Sequence, residues 1–215
     1  EVAENRRALR DLEKLEEVRA TRAKMAADYF AKHAGEWDSL RSLHVAESEV
    51  ESAIASILSA APLGRALDIG TGTGRMIELF AEQADSFTAL DNNSEMLRLA
   101  RAKLASMNLS ASAAARTEIM LGDFNNLPLG EAQFDTIFFH QVLHYAPNPE
   151  RAIAEASRVL APGGRLLIVD FAAHDREELR TVHAHARLGF SDAMIERAFH
   201  QVGILMAHQT ALDSG

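Results

Sequence analysis

A glycine-rich turn with an acid on each side carries the clearest chemical signal in this chain. A short run that contains Asp68 leads directly into Gly70-Thr71-Gly72-Thr73-Gly74. Glycine lets the backbone turn tightly and lets a ligand approach without meeting a Cβ atom. The next apolar run ends in Asp91, close to the roughly 20-residue spacing at which a carboxylate binds a ribose diol. We therefore predict that a nucleotide-like ligand lies over the turn, with its ribose at Asp91.

The spacing of the glycines argues against a dinucleotide as the ligand. A dinucleotide-binding turn reads GxGxxG, whereas this turn reads GxGxG, with Asp68 two residues before its first glycine. A third apolar run ends in Gly122-Asp123. A turn with no ligand is the alternative interpretation, and the three acids together favour a binding site.

These residues need a sheet that brings several strand ends to one edge. Alternating apolar patterns predict strands over 65–70, 87–91, 118–122, 134–140, 165–171 and 204–212, separated by helices. The helices are predicted over 44–60 and 74–84, after Ser94, after Asn148, and from Ser191 to Gly203. Alternation of this kind implies an α/β fold with a doubly wound, mostly parallel sheet.

The chain begins with a helical extension. Residues 1–32 contain neither Gly nor Pro, and a loose apolar stripe runs between intermingled acids and bases. One interpretation is a helix packed on its own domain, and the other is the tail of an upstream domain or a dimerisation helix. We predict a helical extension or linker over 1–43 and a ligand-binding domain over 44–215.

Composition limits the classes of partner. The 215 residues are 47% hydrophobic, enough for one domain with a sizeable core. A net charge of −9 argues against binding nucleic acid or an anionic membrane through this region by charge alone. The chain has no cysteine, which excludes disulfides and thiolate metal sites, and no apolar run approaches a membrane span. A cytoplasmic location is the default expectation.

Five segments in order resemble the class I S-adenosylmethionine-dependent methyltransferases, in particular those related to ubiquinone and menaquinone biosynthesis. They are LDIGTGTGR, TALDNNSEML, MLGDFNNLPL, FDTIFFHQVLHY and VLAPGGRLLIVDF. The resemblance implies a Rossmann-like fold, the cofactor S-adenosylmethionine with S-adenosylhomocysteine as product, and methyl transfer to a small-molecule acceptor. It also implies a seventh, antiparallel strand, which we expect to be missing because nothing after Asp213 can supply it.

The resemblance assigns a role to each motif residue. Asp68, Gly70 and Gly72 would line the methionine end of the cofactor, and Asp91 would hold the ribose. The remaining predicted cofactor residues are Asn92 and Met96 beside the ribose, Asp123 and Phe124 at the adenine, His140 and Gln141 near the sulfonium, and Thr71, Gly74 and Gly122 in the turns.

Histidines and aromatic residues are candidates for the chemistry of the acceptor. His140 and His144 are the candidate general bases, although His140 could present only its backbone and His144 could be a satisfied, half-buried histidine. The candidate substrate residues are Tyr29, Trp37, His144, Tyr145 and His174. His174, His183 and His185 are possible metal ligands, but His183 and His185 are two residues apart, which on a helix points them to different sides. We therefore predict no metal site and expect these histidines to line the substrate mouth.

A narrower resemblance concerns the segments DYFAKHAGEWDSLRSLHV and VDFAAHDREELRTVHAHARLGFSD. They are similar to a bacterial group of fusion regulators in which an ArsR-type winged-helix domain precedes the methyltransferase domain. This implies DNA binding through a domain outside this sequence, and an alternative function as a sensor of S-adenosylmethionine or S-adenosylhomocysteine. Arsenite-methylating enzymes use cysteines, so the lack of cysteine argues against arsenic chemistry.

Overall fold

The computed structural model describes residues 2–37 and 47–212. Its five strands are β1 Arg65–Ile69, β2 Ser86–Asp91, β3 Thr117–Leu121, β4 Phe134–His140 and β5 Leu160–Val169. They form one sheet in the order β3-β2-β1-β4-β5, and every pairing is parallel. The described helices are α1 Val2–His33, α2 Glu47–Leu58, α3 Arg75–Phe80, α4 Ser94–Ser106, α5 Ala111–Ala115, α6 Pro149–Val159, α7 Glu177–Val182 and α8 Asp192–Gln201.

The sheet is covered on both faces because successive strand residues point to opposite sides. Leu67 and Phe139 point into a cluster that also contains Ile153 of α6 and Phe199 of α8. On the other face, Phe138 packs in a cluster with residues of α2 and α3. This arrangement confirms the predicted doubly wound parallel sheet and explains why the strand sequences are apolar throughout.

The order of the strands reverses next to β1. The chain runs from β1 outward to β2 and β3, and then returns to place β4 on the other side of β1. In sheets of this kind, ligands bind in the crevice outside the carboxyl ends of the strands at such a reversal. The glycine turn after β1 and the residues after β4 meet at this point.

The helix predicted over the first 32 residues is present, and only part of it meets the domain. Its C-terminal part packs against α4, where the Asn93 side chain donates a hydrogen bond to the Ala27 carbonyl at 3.2 Å. Ala26 is buried, whereas Leu15 and Val18 are 42% and 48% exposed. The end of α1 therefore packs on its own domain, as one interpretation of the sequence required, and the earlier turns expose an apolar stripe.

The strand predicted over 204–212 is wrong. Residues 204–212 contain neither helix nor strand, and no strand follows β5 within the described part of the chain. Gly203 ends α8 with a φ of +74°, and the Ile204 amide closes the helix by donating to the Phe199 carbonyl. Leu205 is 89% exposed, so the apolar alternation of this segment has no layer to pack against.

Some predicted boundaries also shift. β5 begins at Leu160 and ends at Val169, whereas the sequence predicted a strand from Arg165 to Phe171. The Pro162-Gly163-Gly164 segment is accommodated because β5 is an edge strand whose pairing with β4 shifts register near Phe134. Of the helices that the structure describes, none is long and apolar enough to cross a membrane.

Candidate functional site

A pocket opens at the carboxyl end of the sheet, above the reversal of strand order. The turn after β1, the end of β2, the segments after β3 and β4, and the last turns of α1 all contribute to its wall. It gathers most of the residues predicted to hold the cofactor: Asp68, Gly70, Thr71, Gly72, Asp91, Asn92, Met96, Asp123, Phe124, His140 and Gln141. Gly74 and Gly122 are not part of the lining.

Glycine is needed at different positions of the turn for different structural reasons. Gly70, Gly72 and Gly74 all have positive φ, between +54° and +88°. A Cβ atom at Gly70 would overlap Val142, whereas the nearest described group to a Cβ atom at Gly72 is the Trp37 ring, 3.4 Å away at Nε1. Gly70 is therefore required by the packing of the protein, and Gly72 keeps the floor of the pocket open.

Gly74 and Gly122 are needed for the backbone conformation and packing of the protein. Gly74 is the N-cap of α3 in a left-handed conformation, and a Cβ atom there would lie 3.2 Å from Ile77. A Cβ atom at Gly122 would press into the Leu90 side chain. Neither position faces the pocket, so their predicted role as cofactor contacts gains no support from the lining.

Asp91 joins the end of β2 to the glycine turn. Its Oδ2 atom accepts a hydrogen bond from the Gly72 amide at 2.9 Å, and its Oδ1 atom accepts one from the Asn93 amide at 2.8 Å. Burial raises the pKa of this carboxyl group above its ordinary value, and these backbone donors offset only part of the effect. A carboxylate offers about four lone-pair sites, so Asp91 can also accept from a ribose hydroxyl.

The methionine end predicted by the motif contains buried polar atoms. Asp68 is 1% exposed and lies in the lining. The Thr71 hydroxyl is buried and has no hydrogen-bond partner among the described residues. A bound ligand with polar groups would supply such a partner, which fits the cofactor that the sequence predicts.

The opposite end of the pocket is formed after β3. The Oδ1 atom of Asp123 accepts from the Asn125 amide at 2.8 Å and from its side-chain Nδ2 atom at 3.0 Å. Phe124 is nearly buried beside them. Asn125 also lines the pocket, and its own Oδ1 atom is buried with no partner within the described ranges, which the sequence analysis missed.

The segment after β4 turns sharply at the pocket. His140 ends β4, and Gln141 has a φ of +52°, a backbone conformation that non-glycine residues rarely adopt. The Gln141 amide donates to the Val169 carbonyl at 2.7 Å, which holds this turn against β5. Strained positions of this kind concentrate at functional sites, and both residues line the pocket.

His144 lies behind the pocket wall instead of in it. It belongs to a 3-10 turn over Leu143–Tyr145 and is 2% exposed. Its Nδ1 atom donates to Oδ1 of Asp170 at 2.8 Å, and its backbone amide donates to Oδ2 at 3.2 Å. The His185 ring packs against it, with centroids 4.1 Å apart. The histidine and Asp170, which the sequence analysis missed, clamp the turn to the end of β5.

Only two of the predicted substrate residues, Trp37 and Tyr145, reach the pocket. The Tyr29 hydroxyl is hydrogen-bonded to Nδ1 of His183 at 2.8 Å, and His174 accepts from the Arg176 amide at 3.2 Å. Tyr29, His144 and His174 are absent from the lining. Across residues 2–37 and 47–212, no group of three or more histidine or acidic side chains could hold a metal ion.

The pocket has further residues that the sequence did not indicate. Phe30 on α1 lines it, and so does Arg75, the first residue of α3. The Arg75 guanidinium donates to both carboxylate oxygens of Glu51 on α2, at 2.6 and 2.8 Å, and to Glu78. The hydrogen bonds to Glu51 are the main reason that the pKa of Arg75 is raised. An apolar position on a charged helix gives no signal that it covers a distant pocket, which explains the omission of Phe30.

Comparison with known proteins agrees with this geometry. The methyltransferase domain family matches residues 67–168. A phosphatidylethanolamine N-methyltransferase of Cereibacter sphaeroides is 33% identical over 158 residues, covering 71% of this chain and 75% of that protein. A malonyl-[acyl-carrier protein] O-methyltransferase of Serratia marcescens is 31% identical, and the match covers 71% of this chain but only 55% of that protein.

Two solved structures share the fold. The YcgJ protein of Bacillus subtilis has a TM-score of 0.63 at 22% identity, over 72% of this chain and 68% of its own. A Leishmania major S-adenosylmethionine-dependent methyltransferase has a TM-score of 0.67 at 18% identity, over 87% and 75% of the two chains. The fold, the matched domain and the identity to the Cereibacter enzyme over most of both sequences lead to one conclusion: the chain belongs to the class I S-adenosylmethionine-dependent methyltransferases, whose methyl donor is S-adenosylmethionine.

Proposed function

We propose that this protein transfers the methyl group of S-adenosylmethionine to a small-molecule acceptor. The observation that carries the proposal is the pocket, whose lining contains three acidic residues from the ends of different strands together with Gly72 of the glycine turn. They are Asp68, Asp91 and Asp123. S-adenosylmethionine presents an ammonium group, a ribose diol and an adenine amino group, each of which a carboxylate can bind.

The residues present fit this cofactor in a consistent order along the pocket. Asp68 would hold the amino group of the methionine moiety, Asp91 the ribose hydroxyls, and Asp123 the adenine amino group. The bound cofactor supplies an activated methyl group, so the protein has to align the acceptor and exclude water. His140 is the pocket residue that could accept a proton if the acceptor must lose one.

The class of acceptor is limited by charge. Among the described residues that line the pocket, Arg75 carries the one full positive charge, and it is already paired with Glu51 and Glu78. A phosphate-rich acceptor would find no other cation in this lining. The two relatives act on a phospholipid amine and on a carrier-bound carboxylate, according to their names, so the relatives do not agree on an acceptor. We propose an uncharged or cationic small molecule.

The proposal is tested by following formation of S-adenosylhomocysteine by the purified chain with a panel of amines, phenols, thiols and carboxylates. We expect turnover with an amine, a phenol or a thiol, and turnover with carboxylates alone would contradict the proposed class of acceptor. Gly72→Val should give no turnover, because its side chain would lie at the pocket beside Trp37. A protein that binds S-adenosylmethionine in calorimetry but transfers no methyl group to any class would contradict the enzyme proposal.

A second candidate function is a sensor of cofactor occupancy. The observation that favours it is the contribution of the N-terminal segment to the pocket, through Ala26, Ala27 and Phe30 of α1 and the following Trp37. Under this proposal, the helical extension over 1–43 passes occupancy from the domain over 44–215 to an upstream winged-helix domain or to a second copy of the chain. A cytoplasmic bacterial regulator of the ArsR type would use it in that way.

A further inference from the structure

Three aromatic side chains from separate segments meet at one side of the pocket. They are Phe30 on α1, Trp37 just after the 3-10 turn Ala34–Glu36, and Tyr145 after β4, and we call them the aromatic wall. The Phe30 ring lies 5.1 Å from the Trp37 ring and 4.7 Å from the Tyr145 ring, both in edge-to-face orientation. All three line the pocket. The wall therefore depends on how α1 docks on the domain.

The aromatic wall lies on the side of the pocket where the proposed order places the methionine moiety of the cofactor. The Trp37 indole is the group nearest to the open space at Gly72. Tyr145 follows the segment that contains His140 and Gln141 at the end of β4. Asp123 and Phe124, at the predicted adenine end, are reached from β3, on the far side of β2. The sulfonium of a cofactor bound in the proposed order would consequently lie next to the wall.

A sulfonium cation in a pocket needs a stabilising group that does not attack it. A carboxylate against the methyl group would be a nucleophile, and it could take the methyl group intended for the acceptor. The face of an aromatic ring attracts a cation through its quadrupole and has no lone pair to alkylate. Such an attraction is strongest where water is excluded, and Tyr145 is 7% exposed.

We propose that the aromatic wall selects the sulfonium of S-adenosylmethionine over the neutral thioether of S-adenosylhomocysteine. The inference rests on the proposed placement of the cofactor and adds the groups that recognise its charge. Transfer of the methyl group removes the positive charge from sulfur, so the attraction disappears in the product. The wall thus stabilises the bound donor more than the bound product.

The alternative is that the rings only fill space. In that case they would contact donor and product equally, because the two molecules share every group except the methyl and its charge. Loss of a ring would then weaken both ligands by a similar factor. The two explanations differ in the ratio of the affinities, which is insensitive to a general loss of fit.

The experiment is calorimetry with S-adenosylmethionine and S-adenosylhomocysteine on the protein and on Phe30→Leu, Trp37→Leu and Trp37→Phe. Cation–π energies predict that each leucine variant loses about three- to tenfold in affinity for S-adenosylmethionine and less than about twofold for S-adenosylhomocysteine. Trp37→Phe keeps a ring and should leave the ratio within about twofold. Thermal unfolding of each variant checks that the protein folds.

Phe124→Leu is the matched control, because it removes a ring at the predicted adenine end. It should weaken both ligands by the same factor. Equal losses for the two ligands in the leucine variants of the wall would overturn the selection proposal while leaving the cofactor site intact. Failure of the unmodified protein to bind either ligand would instead overturn the proposed function.

Discussion

Asp91 combines two tasks in one side chain. It fixes the glycine turn through the Gly72 amide and the following loop through the Asn93 amide, and it faces the pocket. Replacement therefore affects the shape of the turn as well as any contact with a ribose. This coupling explains why a strand-end acid after a glycine turn is informative in sequence: the same carboxylate builds the site and serves it.

The affinity for the cofactor should decrease as the pH is lowered, because Asp91 becomes protonated. Its pKa is raised by burial in the free protein, so protonation begins at a higher pH than for an ordinary aspartate. Ribose hydroxyls donate stronger hydrogen bonds to the charged carboxylate than to the neutral acid. The pKa of Asp91 is therefore lower in the complex, and affinity decreases as the pH falls through the raised value. Calorimetry between pH 7 and 4 measures this dependence. Asp91→Asn should bind about tenfold more weakly at pH 7 and lose most of the dependence.

A persistent pH dependence in Asp91→Asn would assign the titration to another group. The other pocket carboxylates, Asp68 and Asp123, supply the comparison, since their asparagine variants should keep the acid dependence of the unmodified protein.

The glycine turn should separate binding from stability. Gly72→Val adds a side chain at the pocket, where Trp37 is the nearest described group, so we expect loss of cofactor binding with moderate destabilisation from the positive φ. Gly70→Ala should destabilise the fold itself, because its Cβ atom would overlap Val142. Calorimetry and thermal unfolding measure the two effects. Normal binding of S-adenosylhomocysteine by Gly72→Val would show that the turn is not the cradle of the cofactor.

Single residues were predictable where they end a strand. Asp68, Asp91 and Asp123 follow or interrupt apolar runs, and parallel strands bring such positions together. Phe30, Arg75 and Asp170 were not predictable, because each reaches its neighbours through tertiary packing that no local pattern encodes.

At the level of elements, an ion pair connects α2 to the start of α3. Glu51 on α2 holds Arg75 in a two-point contact, and the two side chains are 17% and 24% exposed. Arg75 directly follows the glycine turn, so α2 supports the floor of the pocket from outside. This contact also favours placing α2 within the binding domain, as the proposed boundary before residue 44 requires.

Loss of this ion pair should weaken the fold. Glu51→Gln leaves the partly buried guanidinium with weaker acceptors, and we expect the free energy of unfolding to fall by about 1–2 kcal/mol. Glu49→Gln removes an exposed acid from the same helix and should change stability by less than about 0.5 kcal/mol. Urea unfolding measures both. Equal effects of the two substitutions would mean that the pair contributes nothing to stability.

The elements of the parallel sheet were predictable because strands buried on both faces have continuous apolar runs. The incorrectly predicted strand over 204–212 shows that an apolar pattern alone does not establish a strand. Its apolar residues alternate in sequence, but a strand also requires a neighbour to pair with, and none of the five described strands pairs with this segment. Pairing is a property of the whole sheet and is not visible in one segment.

At the scale of the whole molecule, α1 has two parts: a C-terminal part that contacts the domain and an N-terminal part that is exposed. Residues from Arg22 onward contact the domain, through the Ala186 carbonyl at 3.5 Å, the Tyr29–His183 hydrogen bond and the aromatic wall. The described side chains before Arg22 are exposed or half-exposed. The boundary predicted after residue 43 therefore does not separate the pocket from the helix that covers it.

Two truncations test which part of α1 contributes to binding of S-adenosylmethionine. Deletion of residues 1–21 removes exposed helix only, so affinity for S-adenosylmethionine should stay within about twofold. Deletion of residues 1–37 removes Phe30 and Trp37 from the pocket and should reduce affinity at least about tenfold. Circular dichroism confirms folding of each product. A large loss from the shorter deletion would show that the exposed turns contribute to the site.

Hydrogen exchange along α1 should separate the enzyme from the sensor. Four residues between 26 and 37 line the pocket, so the cofactor should slow exchange in this part of the chain under either function. A sensor must change its conformational equilibrium when the cofactor binds, and a ligand that binds two conformations equally shifts neither. In a sensor, protection should therefore extend into residues 2–21. We predict such protection for the sensor and an unchanged profile over 2–21 for an enzyme that only closes over its cofactor. Slowed exchange over residues 2–21 without turnover on any acceptor would reject the enzyme proposal, whereas an unchanged profile together with methyl transfer would reject the sensor.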